Sequence, residues 1–134
     1  FVSALRIEGN YFLGERNYQH AIKNYERATI LEDSDENNWI DYGRALAEYG
    51  RSVQRSNKTR SRILLEKSAV AYNRALDLDE DNSSALVGLG RVHTYMNNRK
   101  KAVESYQRVV ATAPNSAEAV QAKKYLTQLV GNRG

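Results

Sequence analysis

Residues 83–116 read SSALVGLGRVHTYMNNRKKAVESYQRVVATAPNS. Asn97 and Asn98 separate two helical stretches in this segment, and Pro114-Asn115-Ser116 follows the second one. Asparagine and proline in such places mark where helices stop and turns begin. Apolar residues recur in the second stretch at intervals of three and four, which places them on one face of a helix: Ala102, Val103, Tyr106 and Val109. The segment therefore predicts two helices joined by a short turn.

The same pattern occurs twice more upstream, so the chain contains an internal repeat. A glycine lies in the first helix of each unit and a tyrosine in the second: Gly9, Gly43 and Gly90, then Tyr25, Tyr72 and Tyr106. The first two glycines are 34 residues apart and the last two 47, whereas the first two tyrosines are 47 apart and the last two 34. The unit is therefore 34 residues long. The difference of 13 residues is an insertion between the two helices of the second unit.

These spacings predict a single all-α domain that covers residues 1–134. Its expected parts are repeat one at 2–35, repeat two at 36–82 with the 13-residue insertion, repeat three at 83–116, and a capping helix at 117–130. The predicted helices are 3–14, 18–31, 37–54, 61–79, 83–96, 99–112 and 116–130. The last of them has apolar residues on one side and polar ones between, as expected of a helix that covers the end of a stack.

The period and the residues at fixed places resemble the tetratricopeptide repeat. The matching residues are Gly9, Phe12, Tyr18, Ala21, Tyr25 and Ala28 in the first unit, Trp39, Gly43, Tyr72 and Ala75 in the second, and Leu86, Leu89, Gly90, Ala102, Tyr106 and Pro114 in the third. Glu8, Asp33 and Glu80 depart from the family pattern. The resemblance implies a right-handed superhelix of antiparallel helix pairs with about seven helices.

Composition excludes several classes of protein. The chain has 0 cysteines, which excludes a disulfide framework and a thiolate metal site. No apolar run approaches the ~20 residues that a transmembrane helix needs, so we expect no transmembrane segment. The sequence starts at Phe1, inside a predicted helix, which is compatible with excision from a larger protein. The localisation is left unknown.

No residue pattern typical of an enzyme is present. His20 and His93 are the only histidines, and we expect the first at the surface and the second packed inside. There is no glycine-rich phosphate loop, nucleophile elbow or HExxH motif. The acidic run from Asp77 to Asp81 lacks the glycine and the final glutamate of a calcium loop. We therefore expect a protein that is not an enzyme, with no catalytic residue, no metal site and no cofactor.

The family resemblance also implies where a partner would bind, because the first helices of successive repeats line a concave groove in this family. Carried onto this sequence, the groove residues are Arg6, Asn10, Leu13, Asn37, Asp41, Arg44, Glu48, Ser84, Val87, Arg91, Tyr95, Gln121 and Tyr125. Asn10, Arg44 and Arg91 each follow a repeat glycine. We hypothesise that this row binds the backbone or carboxylates of an extended ligand. The alternative is that the arginines are only solvated.

Some co-chaperones of this family capture acidic chaperone C-termini with basic and asparagine side chains that clamp two carboxylates. Arg6 and Asn10 match the first pair of that clamp. Asp41 replaces an asparagine and would repel a carboxylate, and Ser84 and Gly88 replace two basic residues. The sequence therefore argues against this clamp.

The insertion carries five basic side chains and no acidic one: Arg51, Arg55, Lys58, Arg60 and Arg62. Apolar Val53, Ile63 and Leu64 favour two lengthened helices that meet around residues 57–59, each longer by about one and a half turns. The basic tip either docks on an acidic protein, a membrane surface or nucleic acid, or is only a solvated end. No aromatic residues interleave the basic ones, so nucleic acid is not expected.

Two functions in different classes follow from these observations. The first is a scaffold or adaptor that binds a peptide or helix of another protein in the groove. The second is a structural segment of a longer solenoid or of a self-associating oligomer. In the second case Val2, Leu5, Phe12 and Leu13 would form an apolar N-terminal face that packs on a preceding helix or on another copy.

Overall fold

A computed structural model of the chain describes residues 1–131. This part of the chain forms seven α-helices and no strand: α1 (Val2–Gly14), α2 (Tyr18–Leu31), α3 (Glu36–Ser52), α4 (Lys58–Leu78), α5 (Ser83–Tyr95), α6 (Arg99–Thr112) and α7 (Ala117–Gly131). The predicted all-α class with about seven helices is confirmed.

Consecutive helices pack as antiparallel hairpins. Helix α1 packs on α2, α3 on α4 and α5 on α6, and α7 packs on α6. The first helices of the hairpins also form a row, because α3 contacts both α1 and α5, and α5 contacts α7. This row gives side chains from three hairpins a common surface.

The hairpin of α3 and α4 is the longest. Helix α3 has 17 residues and α4 has 21, against 13 or 14 in α1, α2, α5 and α6. Helix α4 begins at Lys58, three residues before its predicted start, because the Oδ1 of Asn57 accepts a hydrogen bond from the backbone N–H of Arg60 at 3.0 Å. Such a cap satisfies an otherwise unpaired donor. The additional residues therefore mainly lengthen the two helices.

The repeat glycines lie against tyrosine rings of the partner helices. A Cβ atom added at Gly9 would be 2.6 Å from Cε1 of Tyr25, and one added at Gly90 would be 2.5 Å from Cε1 of Tyr106. Carbon atoms reach their best separation at about 3.5–4.0 Å, so any side chain here collides with a ring. Both rings are buried, and the glycine–tyrosine spacing in the sequence is therefore a packing requirement.

Two buried hydroxyl groups join α4 to α3. The Oγ of Ser61 donates to the carbonyl oxygen of Gly50 at 2.7 Å, and the Oγ of Ser68 donates to that of Gly43 at 2.6 Å. Each bond contributes about 1 kcal/mol net. Because the two bonds are seven residues apart along α4, they fix the register of the longest hairpin at two points.

The outer face of α1 is apolar, but its exposed residues differ from those predicted. Ile7 and Tyr11 are largely exposed there. Phe12 and Leu13 instead pack against the small core cluster around Tyr25. The difference arises because the α1–α2 hairpin covers its own apolar side with α2.

Protonation of His93 is expected to destabilise the fold at acidic pH. Its side chain is buried and its Nδ1 has no hydrogen-bond partner among the described residues. Burial, followed by the charge of Lys101, lowers the pKa of His93 below its ordinary value. The unfolded chain therefore binds a proton at higher pH than the folded chain. The contribution of neutral His93 to the free energy of unfolding is fully present above about pH 6.5, the unperturbed histidine pKa. This contribution falls as the pH drops below that value.

Chemical denaturation at pH 7.5 and pH 5.0 measures this effect. We expect the free energy of unfolding to fall less between these two pH values in His93→Gln than in the wild type. His20 is exposed, so His20→Gln is the matched control and should keep the wild-type pH dependence. Equal falls in His93→Gln and the wild type would show that another group causes the acid sensitivity.

Candidate functional site

A cleft of about 470 Å³ opens where α1, α3 and α5 lie side by side. The last turns of α1 and α5, the C-terminal half of α3 and the α1–α2 turn form its walls, and the buried ring of Tyr72 from α4 lies beneath it. The lining residues are Leu13, Gly14, Arg16, Tyr18, Arg44, Ala47, Glu48, Arg51, Ser52, Tyr72, Gly88, Arg91 and Tyr95. The cleft therefore draws on all three hairpins.

The cleft brings together part of the groove expected from the sequence, namely Leu13, Arg44, Glu48, Arg91 and Tyr95. Arg51, expected at the tip of the insertion, also lines the cleft. It does so because α3 continues to Ser52, one turn beyond the point that corresponds to the end of α1. The longer hairpin thus supplies an additional wall.

Other expected groove residues lie outside the cleft. Asn37, Ser84 and Gln121 are exposed elsewhere on the surface. The ring of Tyr125 stacks on that of Tyr106, with centroids 5.1 Å apart, so it serves packing between α6 and α7. The cleft lies toward the C-terminal ends of α1, α3 and α5, whereas Asn37 and Ser84 lie in the first turns of α3 and α5 and Gln121 lies in α7.

Asp41 joins α1 to α3. Its Oδ2 accepts a hydrogen bond from Nε of Arg6 at 2.8 Å, and its Oδ1 accepts one from Nη2 of Arg44 at 3.3 Å. Only 10% of the Asp41 side chain is exposed, and its carboxylate is engaged with these two arginines. Arg6 is therefore a partner of Asp41, while Arg44 combines that ion pair with a place in the cleft wall.

Two positions of the expected binding surface lie outside the cleft. Asn10 does not line the cleft, and its Oδ1 accepts a hydrogen bond from the Tyr25 hydroxyl. Val87 belongs to the main core cluster. It precedes Gly90 by three residues and so shares the helix face that packs against the rest of the protein. Of the expected row of Asn10, Arg44 and Arg91, the two arginines line the cleft.

Sequence reasoning missed the contribution of the α1–α2 turn, which supplies Arg16, and of the first residue of α2, Tyr18. Arg16 has a left-handed backbone with φ 59°, and its N–H donates to the carbonyl oxygen of Leu13 at 3.0 Å. Asn97 has the same conformation, with φ 61°, in the α5–α6 turn. Arg16 and Asn97 are equivalent in the repeat, so aligning the turns is the signal that could have placed Arg16 at the rim.

Sequence reasoning also missed that Tyr72 and Gly88 line the cleft. A Cβ atom at Gly88 would be 2.3 Å from Cζ of Tyr72, so only glycine leaves room for that ring. Burial raises the pKa of Tyr72 above its ordinary value. Its hydroxyl therefore stays protonated at neutral pH and keeps its capacity to donate a hydrogen bond.

Arginine dominates the charge of the cleft. Arg16, Arg44, Arg51 and Arg91 line it together with a single carboxylate, that of Glu48. Four positive charges and one negative charge give the lining a formal charge of +3. A cleft lined mainly by one sign of charge concentrates oppositely charged groups, and guanidinium groups match carboxylates and phosphates in geometry. The arrangement therefore suits an anionic ligand.

The basic residues of the insertion do not form one cluster. The guanidinium of Arg60 lies 5.2 Å from the ring centroid of Tyr49 and donates to its hydroxyl at 2.9 Å. Lys58 and Arg62 line a smaller cavity of about 300 Å³, and Arg55 is exposed. The expected basic tip is thus divided among several environments.

Residues 1–131 contain no group of three or more histidine, aspartate or glutamate side chains placed to hold a metal ion. Within the same residues, no helix is both long enough and apolar enough to cross a membrane.

Comparison with protein families identifies one repeat directly. The family model described as tetratricopeptide repeat matches residues 83–116, which comprise α5, α6 and the segment that follows. No curated protein sequence matches the chain.

Solved structures match nearly the whole chain. The TPR2B-domain:pHsp70-complex of yeast Sti1 matches with a TM-score of 0.80 and 14% identity, over 98% of this chain and 97% of the other. PcrH in complex with the chaperone binding region of PopD matches with a TM-score of 0.79 and 14% identity, over 98% of this chain and 92% of the other. The first TPR of Spaghetti (RPAP3) bound to HSP90 peptide SRMEEVD matches with a TM-score of 0.78 and 18% identity, over 98% of this chain and 94% of the other. At these identities the likeness shows the fold, a superhelix of antiparallel helix pairs.

Proposed function

We propose that this chain, which is a tetratricopeptide-repeat protein, is an interaction module that binds an acidic segment of a partner protein in the cleft formed by α1, α3 and α5. The observation that carries the proposal is the excess of arginine over acid in the cleft. The ligand class is therefore a peptide or helix end that presents carboxylates or other anionic groups.

The shape of the cleft favours a chain segment as ligand. Its walls come from three separate hairpins, and it passes between them without being enclosed. Leu13 and Ala47 supply apolar surface, while the hydroxyls of Tyr18, Ser52 and Tyr95 supply hydrogen-bonding groups. Tyrosine and arginine side chains are enriched at protein–protein interfaces. An extended peptide could bury its apolar side chains and direct its carboxylates to the arginines.

Structures of similar fold support the proposal by analogy. Three of them are complexes, with pHsp70, with the chaperone binding region of PopD and with the HSP90 peptide SRMEEVD. The clamp for two carboxylates is not part of the proposal, because Asp41 is already paired with Arg6 and Arg44. The acidic ligand would instead bind nearer the C-terminal ends of α3 and α5.

Catalysis is not part of the proposed function either. The cleft contains no histidine, and its one carboxylate, on Glu48, has no second acid beside it in the lining. General acid–base chemistry needs a titratable group tuned to the operating pH. Arginine stays charged and tyrosine neutral at neutral pH, so this lining is suited to binding.

A peptide library of matched lengths tests the proposal. Immobilised acidic, neutral and basic peptides are probed with the folded protein, and the affinity of the best binders is measured by fluorescence anisotropy at low and moderate salt. We expect acidic peptides to bind best. Their affinity should fall about ten-fold or more as salt screens the arginines.

Neutral or basic peptides that bind as tightly as acidic ones would contradict the proposal. A single-stranded DNA of similar length serves as a polyanion control, and preferential binding of that DNA would redirect the function to nucleic acid. Light scattering on the same samples detects self-association. A dimer whose formation blocks peptide binding would favour the structural alternative, for which the exposed Ile7 and Tyr11 on α1 supply a contact surface.

A further inference from the structure

Two arginines in the cleft share one neutral oxygen atom. Nη1 of Arg51 lies 3.4 Å from the Tyr95 hydroxyl oxygen, and Nη2 of Arg91 lies 3.0 Å from it, both as donors. The same guanidinium groups lie 5.2 and 6.0 Å from the centroid of the Tyr95 ring. One tyrosine therefore holds two cations from α3 and α5 in proximity.

Neither of these two arginines has a carboxylate partner among the described residues, whereas Arg44 in the same cleft has one. Arg6 and Arg44 pair with Asp41, Arg62 pairs with Glu66, and Arg108 lies 3.8 Å from Asp81. Within residues 1–131, no aspartate or glutamate oxygen comes within 4.0 Å of a nitrogen of Arg51 or Arg91. Two like charges near one another repel, and an anion between them would relieve that repulsion.

We propose that Arg51, Arg91 and Tyr95 bind a phosphate monoester dianion, carried as phosphoserine or phosphothreonine by the segment that occupies the cleft. This inference rests on the proposed function, since it assigns part of the ligand to part of the same cleft. A dianion matches the two positive charges, and its three terminal oxygens can accept from both guanidinium groups at once. A single carboxylate compensates only one of the charges.

The surroundings leave room for such a group. The cleft has a volume of about 470 Å³. Gly88 precedes Arg91 by one helical turn, and the Tyr72 ring occupies the space that a side chain at Gly88 would take. Ser52 lies one residue beyond Arg51 and also lines the cleft, where its hydroxyl donates to the carbonyl oxygen of Tyr49 at 2.7 Å. The positions of Arg51 and Ser52 depend on the last turn of α3, so the site uses the lengthened hairpin.

Small model compounds test the site. N-acetyl-phosphoserine-N-methylamide and N-acetyl-aspartate-N-methylamide are titrated into the whole chain at pH 7.5, and binding is followed by NMR of the arginine Nε–Hε groups. We expect the phosphoserine compound to bind at least ~10-fold more tightly, because its second pKa of about 6 leaves it a dianion. At pH 5.0 the preference should shrink toward that of the singly charged aspartate compound.

Single substitutions assign the effect to the two arginines. Arg51→Gln and Arg91→Gln should each weaken binding of the phosphoserine compound at least ~10-fold, since each removes one charge-assisted contact. Arg55→Gln removes the same charge from an exposed position outside the cleft and should leave the affinity unchanged. Circular dichroism confirms that each variant is folded before titration.

Several outcomes would overturn the assignment. They are equal affinity for the two compounds at pH 7.5, no binding of either at the highest concentrations used, or equal effects of Arg55→Gln and Arg91→Gln. Inorganic phosphate that binds ten-fold more tightly than the phosphoserine compound would assign the site to a free anion. If acidic library peptides bind while the phosphoserine compound shows no preference, only this inference fails. If the library fails while that preference holds, only the proposed peptide-binding function fails.

Discussion

Replacing Gly90 by valine is expected to destabilise the protein by about 3 kcal/mol or more, at the upper end of the range for overpacked cores. A single Cβ atom at this position would already be 2.5 Å from Cε1 and 2.7 Å from Cζ of Tyr106. That ring is 1% exposed and cannot turn outward, because Tyr125 stacks on it from α7. Helices α5 and α6 would have to separate, and α7 would lose its packing surface.

Thermal and urea denaturation followed by circular dichroism measure this loss. Gly90→Ala should be intermediate, because the better helix propensity of alanine, worth up to about 1 kcal/mol, offsets part of the clash. Gly14→Ala is the matched control, since a Cβ atom at Gly14 meets nothing within 4 Å. Its stability should equal or slightly exceed that of the wild type. Wild-type stability in Gly90→Val would show that the α5–α6 hairpin tolerates separation.

Reversing the charge of two cleft arginines is expected to abolish binding of the acidic peptide selected from the library. In Arg44→Glu/Arg91→Glu the lining changes from four arginines and one glutamate to two arginines and three glutamates, so its formal charge changes from +3 to −1. Attraction of the peptide becomes repulsion. We expect the affinity to fall at least ~100-fold, which corresponds to about 3 kcal/mol and lies within the range measured for interfacial charge pairs.

Isothermal titration calorimetry with that peptide measures the change. Arg55→Glu/Arg62→Glu alters the net charge of the protein equally but places both changes outside the cleft. It should reduce the affinity only slightly, through long-range attraction. Unchanged affinity in the Arg44/Arg91 variant would remove these arginines from the binding site. A loss confined to the Arg55/Arg62 variant would move the binding site to the insertion hairpin.

The helices could be predicted from the sequence because the signals that set them are local. Apolar spacing, the glycine–tyrosine period and turn residues such as Asn97 act over a few residues, and they gave seven helices with ends within about three residues of those observed. The start of α4 was the largest difference. It depends on Asn57, whose side chain caps the helix, and several neighbouring polar residues could have served as the cap.

The candidate site could be predicted only in part. The resemblance to the tetratricopeptide repeat placed five of the cleft residues on the expected binding surface, namely Leu13, Arg44, Glu48, Arg91 and Tyr95. Arg51 was assigned to the insertion, although the predicted helix 37–54 included it, because the sequence does not show which side of the longer hairpin borders α1 and α5. Arg16 was missed because its place depends on a left-handed turn. Val87 was misplaced, since its face of α5 is covered by the rest of the core.

The sequence by itself determined the repeat, the all-α class, the insertion and the absence of residue patterns typical of enzymes. Only the tertiary structure decided which arginines remain available for a ligand. Asp41 pairs with Arg6 and Arg44, while Arg51 and Arg91 meet at Tyr95, although Arg6, Arg44 and Arg91 were all assigned to the same groove. The physical reason is that side-chain pairing depends on distances between helices from different repeats. Those distances are set by the glycine–tyrosine contacts and by the length of the α3–α4 hairpin.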